Sequence, residues 1–197
     1  SIMEKYMTKI VVCGAAGRMG KIVISKIISD KELVLSGAVE WKEHHSIGEP
    51  IDKINITYNF EEALKLSDVA IDFTIADAAI YHLSVAQRQK KPIVICTTGI
   101  AKEGLAKIKS ASSEIPIVFS PNMSVGVSLL FKLVGEVADI IPDYDVEIVE
   151  AHHNQKKDAP SGTALKLAEI ISSKLNLEHV YGRCGNVGAR KKEIGIH

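Results

Sequence analysis

The 197-residue chain has only three cysteines, Cys13, Cys96 and Cys184, an odd number, far apart and without a Cys-x-x-Cys pair. This argues against a disulfide framework and a zinc–thiolate site and points to reduced thiols in a cytoplasmic protein. Net charge is also lacking: 24 basic side chains stand against 24 acidic ones, so nothing in the balance suggests nucleic acid or an anionic membrane as partner. Any positive field has to be local. No apolar run reaches the ~18 residues of a membrane span. No apolar stretch of the signal-peptide kind follows residues 1–6, and Met7 is the expected natural start. Internal repeats and low-complexity segments are absent too. With 46% hydrophobic and 24% charged residues, the composition is that of an ordinary soluble globular protein, long enough for one large domain or two small ones.

What is present begins with an apolar run at residues 9–13 that ends in Gly14-Ala15-Ala16-Gly17-Arg18-Met19-Gly20. Ile22, Val23, Ile27 and Ile28 then recur at helical spacing, and residues 33–39 read as a second strand with Glu40 at its carboxyl end. Strand, glycine turn, helix and strand form a βαβ unit of the dinucleotide-binding kind. Its glycines admit a pyrophosphate to the helix N-terminus, and its acid accepts the ribose hydroxyls. The repeat is Gly-x-x-Gly-x-x-Gly and not the generic Gly-x-Gly-x-x-Gly, so a glycine turn made only for helix packing is the alternative.

The stretches at residues 69–74, 93–99 and 117–122 each read as a buried strand followed by small or polar residues, and are separated by helical stretches at 76–89 and 102–112. The alternation predicts an α/β fold, a Rossmann-like doubly wound parallel sheet. Ligands of such sheets bind outside the carboxyl ends of the strands, which brings in Phe73, Thr74, Cys96, Thr97, Thr98, Ser120, Pro121, Asn122 and Met123. Plainer readings are strand termination for Thr97 and Thr98, packing for Trp41, and a polar loop for His44 and His45. A helix at 125–140 and a turn at 141–144 lead onward. The domain change is placed at Met123–Ser124, giving a dinucleotide-binding domain at 1–123 and a smaller α+β domain at 124–197. Residues 181–192, rich in glycine and base, are expected to form a mobile loop, and 193–197 a strand.

The chemistry concentrates at Glu150-Ala151-His152-His153, then Lys156, Lys157, Asp158, Pro160, Ser161, Gly162 and Thr163. Residues 145–150 alternate as a half-buried strand, and a helix follows the serine and glycine, capped by Ser161 or Thr163. Strand, basic loop and helix N-terminus suit a small anion, and histidine and lysine supply protons. The site therefore reads as one that binds a carboxylate or phosphate and moves a proton. Adjacent histidines on a strand face opposite ways, so they share a site only if the strand ends or bulges there. No third ligand stands at metal spacing, so no metal is expected, and Ser161 lacks the Gly-x-Ser-x-Gly turn of a hydrolase. A solvated surface loop is the plain reading of Lys156-Lys157.

With these motifs assembled, the chain resembles the 4-hydroxy-tetrahydrodipicolinate reductase (dihydrodipicolinate reductase) family over about residues 9–197. The most specific match is Glu150-Ala151-His152-His153 with Lys156-x-Asp158-Ala159-Pro160-Ser161-Gly162-Thr163-Ala164, and the glycine loop matches in its spacing. The resemblance implies reduction of a cyclic unsaturated dicarboxylate by NAD(P)H, with loss of water, in lysine and diaminopimelate biosynthesis. It implies that His152 donates or accepts a proton, that Lys156 donates one, and that His153, Gly162 and Thr163 touch substrate. It also implies cofactor contacts at Gly14, Ala15, Ala16, Gly17, Arg18, Met19, Glu40, Cys96, Thr97, Thr98, Ser120, Pro121, Asn122 and Met123. Family members often have glycine where Cys96 stands. Glu40 favours NADH by repelling a 2′-phosphate, while Lys42 and Arg18 leave NADPH tolerated. A homotetramer is implied, as are further strands and a final helix beyond His197. Hinges are expected near 120–124 and near Tyr144. Other readings are a non-catalytic dinucleotide-binding or sensor module and a related reductase for another small carbonyl or imine.

Overall fold

A computed structural model describes residues 7–120, 122–154, 156 and 159–197. The chain divides into two compact units, Ser1–Ser120 and Pro121–His197. In the first, β1 (Thr8–Cys13), α1 (Arg18–Ser29) and β2 (Leu33–Val39) form the expected βαβ unit. A small hairpin, β3 (Pro50–Ile51) and β4 (Ile54–Asn55), and a short helix, α2 (Phe60–Lys65), come next. Then β5 (Val69–Asp72), α3 (Ala76–Gln89), β6 (Ile93–Ile95), α4 (Lys102–Ala111) and β7 (Ile117–Phe119) alternate. The five long-range strands pair in parallel in the order β2-β1-β5-β6-β7. The hairpin and α2 were not anticipated, being too short to show a period.

Strand β1 carries no alternation of polar and apolar residues because both of its faces are covered. Ile10 and Val12 pack with Ile24 and Ile27 of α1, while Val11 and Cys13 pack with Phe60 and Leu64 of α2 and Leu83 and Ala86 of α3. Within α1 the buried face is Gly20, Ile24 and Ile27; Ile22 and Ile28, which also fit a helical repeat, are exposed. Trp41, read as a packing residue, is 61% exposed and stands edge-on to His44.

In the second unit, α5 (Val125–Ile140) and α6 (Gly162–Leu175) pack with a three-stranded parallel sheet in the order β8-β10-β9. Its strands are β8 (Val146–Ile148), β9 (Glu178–Tyr181) and β10 (Glu193–Ile196). The core is Ala164, Ala168 and Ile171 of α6 against Ile194 and Ile196, with Val146 and Ile148 half-buried beside them. The β8 alternation is real but short, and Val149 already faces solvent. The stretch read as a mobile loop is tied down at Arg183, whose guanidinium meets Glu147 at 2.9 Å and Glu193 at 3.0 Å. No described helix is long and apolar enough to cross a membrane.

Gly20 has a steric reason to be glycine: a Cβ there would overlap the Gly14 carbonyl oxygen and the Ala15 backbone. Gly20→Ala should cost about 1–3 kcal/mol, as overpacking does, read as a lower denaturation midpoint. An unchanged midpoint would mean that the loop yields freely.

Candidate active site

The first unit builds a pocket at the carboxyl edge of its sheet. The chain leaves β1 for β2 on one side and later crosses to β5 on the other, so a crevice opens between the ends of β1 and β5. Gly14 turns the chain there with φ +77°, and the Gly14 and Ala15 N–H groups donate to the Val39 carbonyl at 2.9 and 3.1 Å. A Cβ on Gly14 would stand 3.2 Å from the Phe73 carbonyl oxygen, so the two turns lie close together. Helix α1 starts at Gly17 with no side-chain cap and no acid in its first turn, which leaves its N–H groups and dipole to an outside anion. Glu40 reaches back into this loop, its Oε1 accepting the Ala16 N–H at 2.8 Å. This cradle fits the pyrophosphate and adenosine ribose of a dinucleotide.

A cavity of about 280 Å³ is lined by Gly14, Gly17, Arg18, Met19, Gly20, Phe73, Thr74, Cys96, Thr97 and Thr98. The structure thus collects the glycine loop with Cys96, Thr97 and Thr98. Burial, and then the charge of Asp72, pushes the Cys96 thiol up to about 11, so it is a neutral group at physiological pH and no nucleophile. Thr97 does more than end a strand: it is buried, and its hydroxyl donates to the Thr74 carbonyl at 3.0 Å and approaches Asp72 Oδ1 at 3.3 Å. Ser120 follows β7 and is half-buried, while Pro121 lies outside the described residues. Asn122 and Met123 fall in the second unit.

In that unit β8 stops at Ile148, so His152 and His153 stand in an exposed loop after the strand. The objection that neighbouring strand residues face opposite ways therefore does not apply. Ser161 is the N-cap of α6, its hydroxyl accepting the Ala164 N–H at 3.1 Å, which decides between the two candidate caps. Thr163 Oγ1 instead faces the Asn122 side-chain amide, which donates to it at 3.4 Å. The Lys156 N–H donates to the His153 carbonyl at 3.2 Å; Lys157 and Asp158 are outside the described residues. Gly162 is exposed at the helix start, and no acid stands in the first turn.

Glu150, quoted within the sequence motif but given no role of its own there, ties the end of the strand to the start of α6. Its Oε1 accepts the Ser161 N–H at 2.7 Å, and Oε2 stands 3.9 Å from His152 Nδ1. Burial works against its charge, but the Ser161 hydrogen bonds and the nearby His152 and Lys156 outweigh it and hold the carboxyl below its ordinary range. The available signal was a polar residue at a strand end next to the histidine pair. Strand alternation accounts for a polar residue there and does not show what its carboxylate touches.

Family models for the N-terminus and the C-terminus of dihydrodipicolinate reductase match residues 8–123 and 126–197. A 4-hydroxy-tetrahydrodipicolinate reductase of Methanosarcina barkeri is 44% identical, the match covering 97% of this chain and 77% of the relative. One of Syntrophotalea carbinolica is 43% identical over 96% of this chain and 76% of its own length. Among solved structures, a dipicolinate-bound dihydrodipicolinate reductase from a Paenisporosarcina species superposes with a TM-score of 0.77 at 26% identity. That match covers 97% of this chain and 77% of the other.

The folded-state value of Glu150 lies below the ordinary 4.5. Its contribution to stability is therefore complete above that value and fades as pH falls through the folded one. Glu150→Gln should lower the melting temperature at about pH 7 and do so much less at about pH 3. An equal gap at both would show that the carboxylate charge contributes nothing.

Proposed function

Because the chain belongs to the dihydrodipicolinate reductase family, we infer that it reduces 4-hydroxy-tetrahydrodipicolinate to tetrahydrodipicolinate with NAD(P)H, in lysine and diaminopimelate biosynthesis. The observation that carries this is a family match running through both units, with the glycine cradle in one and the His-His loop and helix N-terminus in the other. Net, a hydride and a proton are added and water is lost.

When bound, the reduced nicotinamide supplies the hydride. The chain's own groups bind, orient and move protons. We assign the backbone of Gly14, Ala15, Ala16, Gly17, Arg18 and Met19 to the pyrophosphate, where the uncapped α1 N-terminus favours negative charge. Glu40 orders the loop through the Ala16 N–H and is proposed to accept a ribose hydroxyl with its other oxygen. Cys96, Thr97 and Thr98, with Ser120, Pro121, Asn122 and Met123, are assigned to the nicotinamide end.

For the substrate, the N–H groups of Gly162 and Thr163 are of the kind a helix leaves unsatisfied, and they suit a carboxylate. Ser161 spends its hydroxyl on Ala164 and its N–H on Glu150, so it caps the helix and does not bind. His153 is proposed as a further substrate contact. His152 is assigned to donate or accept the proton, with Glu150 beside its Nδ1, and Lys156 to donate one to the atom left electron-rich by hydride addition. NADH is the proposed preference, with NADPH tolerated through Arg18 and Lys42. The proposed setting is a cytoplasmic homotetramer, supported by scattered thiols and by the exposed apolar Leu129, Leu133, Val137 and Ile140 of α5.

The test is loss of NADH absorbance with substrate formed in place from pyruvate and aspartate semialdehyde. Oxidation should need both precursors and should be inhibited competitively by pyridine-2,6-dicarboxylate. NADH binding without substrate-dependent oxidation would sink the reductase reading. His152→Ala and Lys156→Ala should each lower kcat by about 100-fold or more with NADH affinity retained; unchanged turnover would remove them from proton transfer. Glu40→Gln keeps an acceptor for Ala16 but loses the charge, so KM for NADPH should fall relative to that for NADH.

A further inference from the structure

Strand β5 ends in a carboxylate that no solvent reaches: Asp72 is 0% exposed, on the sheet face covered by α3. A charge in such a place persists only if fully paired. Its Oδ2 meets His82 Nδ1 at 2.6 Å. Its Oδ1 accepts the Thr74 N–H at 2.8 Å and the Thr74 hydroxyl at 2.6 Å, with the Thr97 hydroxyl at 3.3 Å. One side chain therefore reaches α3 through His82, the turn after β5 through Thr74, and the turn after β6 through Thr97. His82 is itself buried and packed against Phe60, ring centroids 4.2 Å apart.

We propose that Asp72 is a positioning residue for the reduced dinucleotide, its carboxylate locking the turns after β5 and β6 that wall the cofactor cavity. The inference rests on the reductase reading only in naming that ligand. Thr74 and Thr97 both line the cavity, and Phe73 closely approaches Gly14, so a shift in the β5 turn also moves the glycine loop.

Stability alone does not explain the pair. A buried hydrogen-bonded pair is often no better than apolar residues of the same volume, whereas directional bonds to two turns impose a geometry that packing does not. Metal binding does not explain it either, although Cys13, Asp72 and His82 place ligand atoms within 4.8 Å of one another. Both carboxylate oxygens are engaged in hydrogen bonds, and burial, aided by the charges of Asp72 and Glu40, keeps the Cys13 thiol protonated.

The experiment uses the full chain and three variants, Asp72→Asn, Thr74→Val and Thr74→Ser, because the Thr74 hydroxyl donates to Asp72 at 2.6 Å and Thr74 is not itself assigned a cofactor contact. The Kd for NADH is measured by fluorescence without substrate, alongside KM for each substrate and the melting temperature. Asp72→Asn and Thr74→Val should weaken NADH binding by about tenfold, with KM for the dicarboxylate within about twofold of the parent. Thr74→Ser, which restores the hydroxyl, should recover most of the affinity. A fall in melting temperature with NADH affinity unchanged overturns the proposal, and so does a serine variant as weak as the valine one. If Asp72→Asn does not fold, the valine and serine pair decides alone. If the parent binds NADH without oxidising it, the reductase reading fails while the Kd series still decides the positioning role. If it binds neither NADH nor NADPH, both fail.

Discussion

Strand β1 is hydrogen-bonded to β2 on one edge and β5 on the other and is covered on both faces, and the cavity at its carboxyl end exists because of that enclosure. A strand so buried ends where its residues can no longer be apolar, and the chain must then turn away at once. Gly14 makes that turn, and the absence of side chains at Gly17 and Gly20 lets α1 start close above it. The same pairing sets Cys13 beside Asp72, so the end of β1 and the end of β5 form the two lips of the crevice.

The two helix N-termini to which cofactor and substrate are assigned in the proposed function are finished differently. Helix α1 begins at Gly17 without a cap, as suits a site whose anion is to sit against the backbone itself. Helix α6 is capped by Ser161, and the Ser161 N–H is in turn held by Glu150. The second arrangement ties the loop that carries His152 to the helix proposed to hold a carboxylate. A carboxylate so close to a helix start is favoured by the dipole, in keeping with its lowered proton affinity.

Periodicity and turn chemistry made most of the fold legible. Helices at 76–89 and 125–140 coincide with α3 and α5, and the strand–glycine–helix–strand unit is where the glycines placed it. The candidate site was legible as one stretch of sequence: His152, His153, Lys156, Gly162 and Thr163 lie within it, their roles implied by the family resemblance. Their supports were not. Asp72 read as part of a buried strand, and Glu150 as the outward residue of an alternating one, because a period reports which side is wet and not what a buried carboxylate touches. Arg183, placed in a loop by its glycine neighbours, is instead anchored by two glutamates that come from other strands.

The sequence by itself determined the parallel α/β architecture, the dinucleotide loop, the family and the residues that could carry protons. These depend on spacing along the chain, and local backbone preference and amphipathic period are written there directly. Tertiary structure alone decided that Ile24 and not Ile22 faces the core, that Ser161 and not Thr163 caps α6, and that Asp72 joins His82, Thr74 and Thr97. Each of these is a choice among chemically similar candidates, settled by register and direction between groups distant in sequence. Hydrogen bonds require both to be correct within a few tenths of an ångström, and a linear pattern does not encode that.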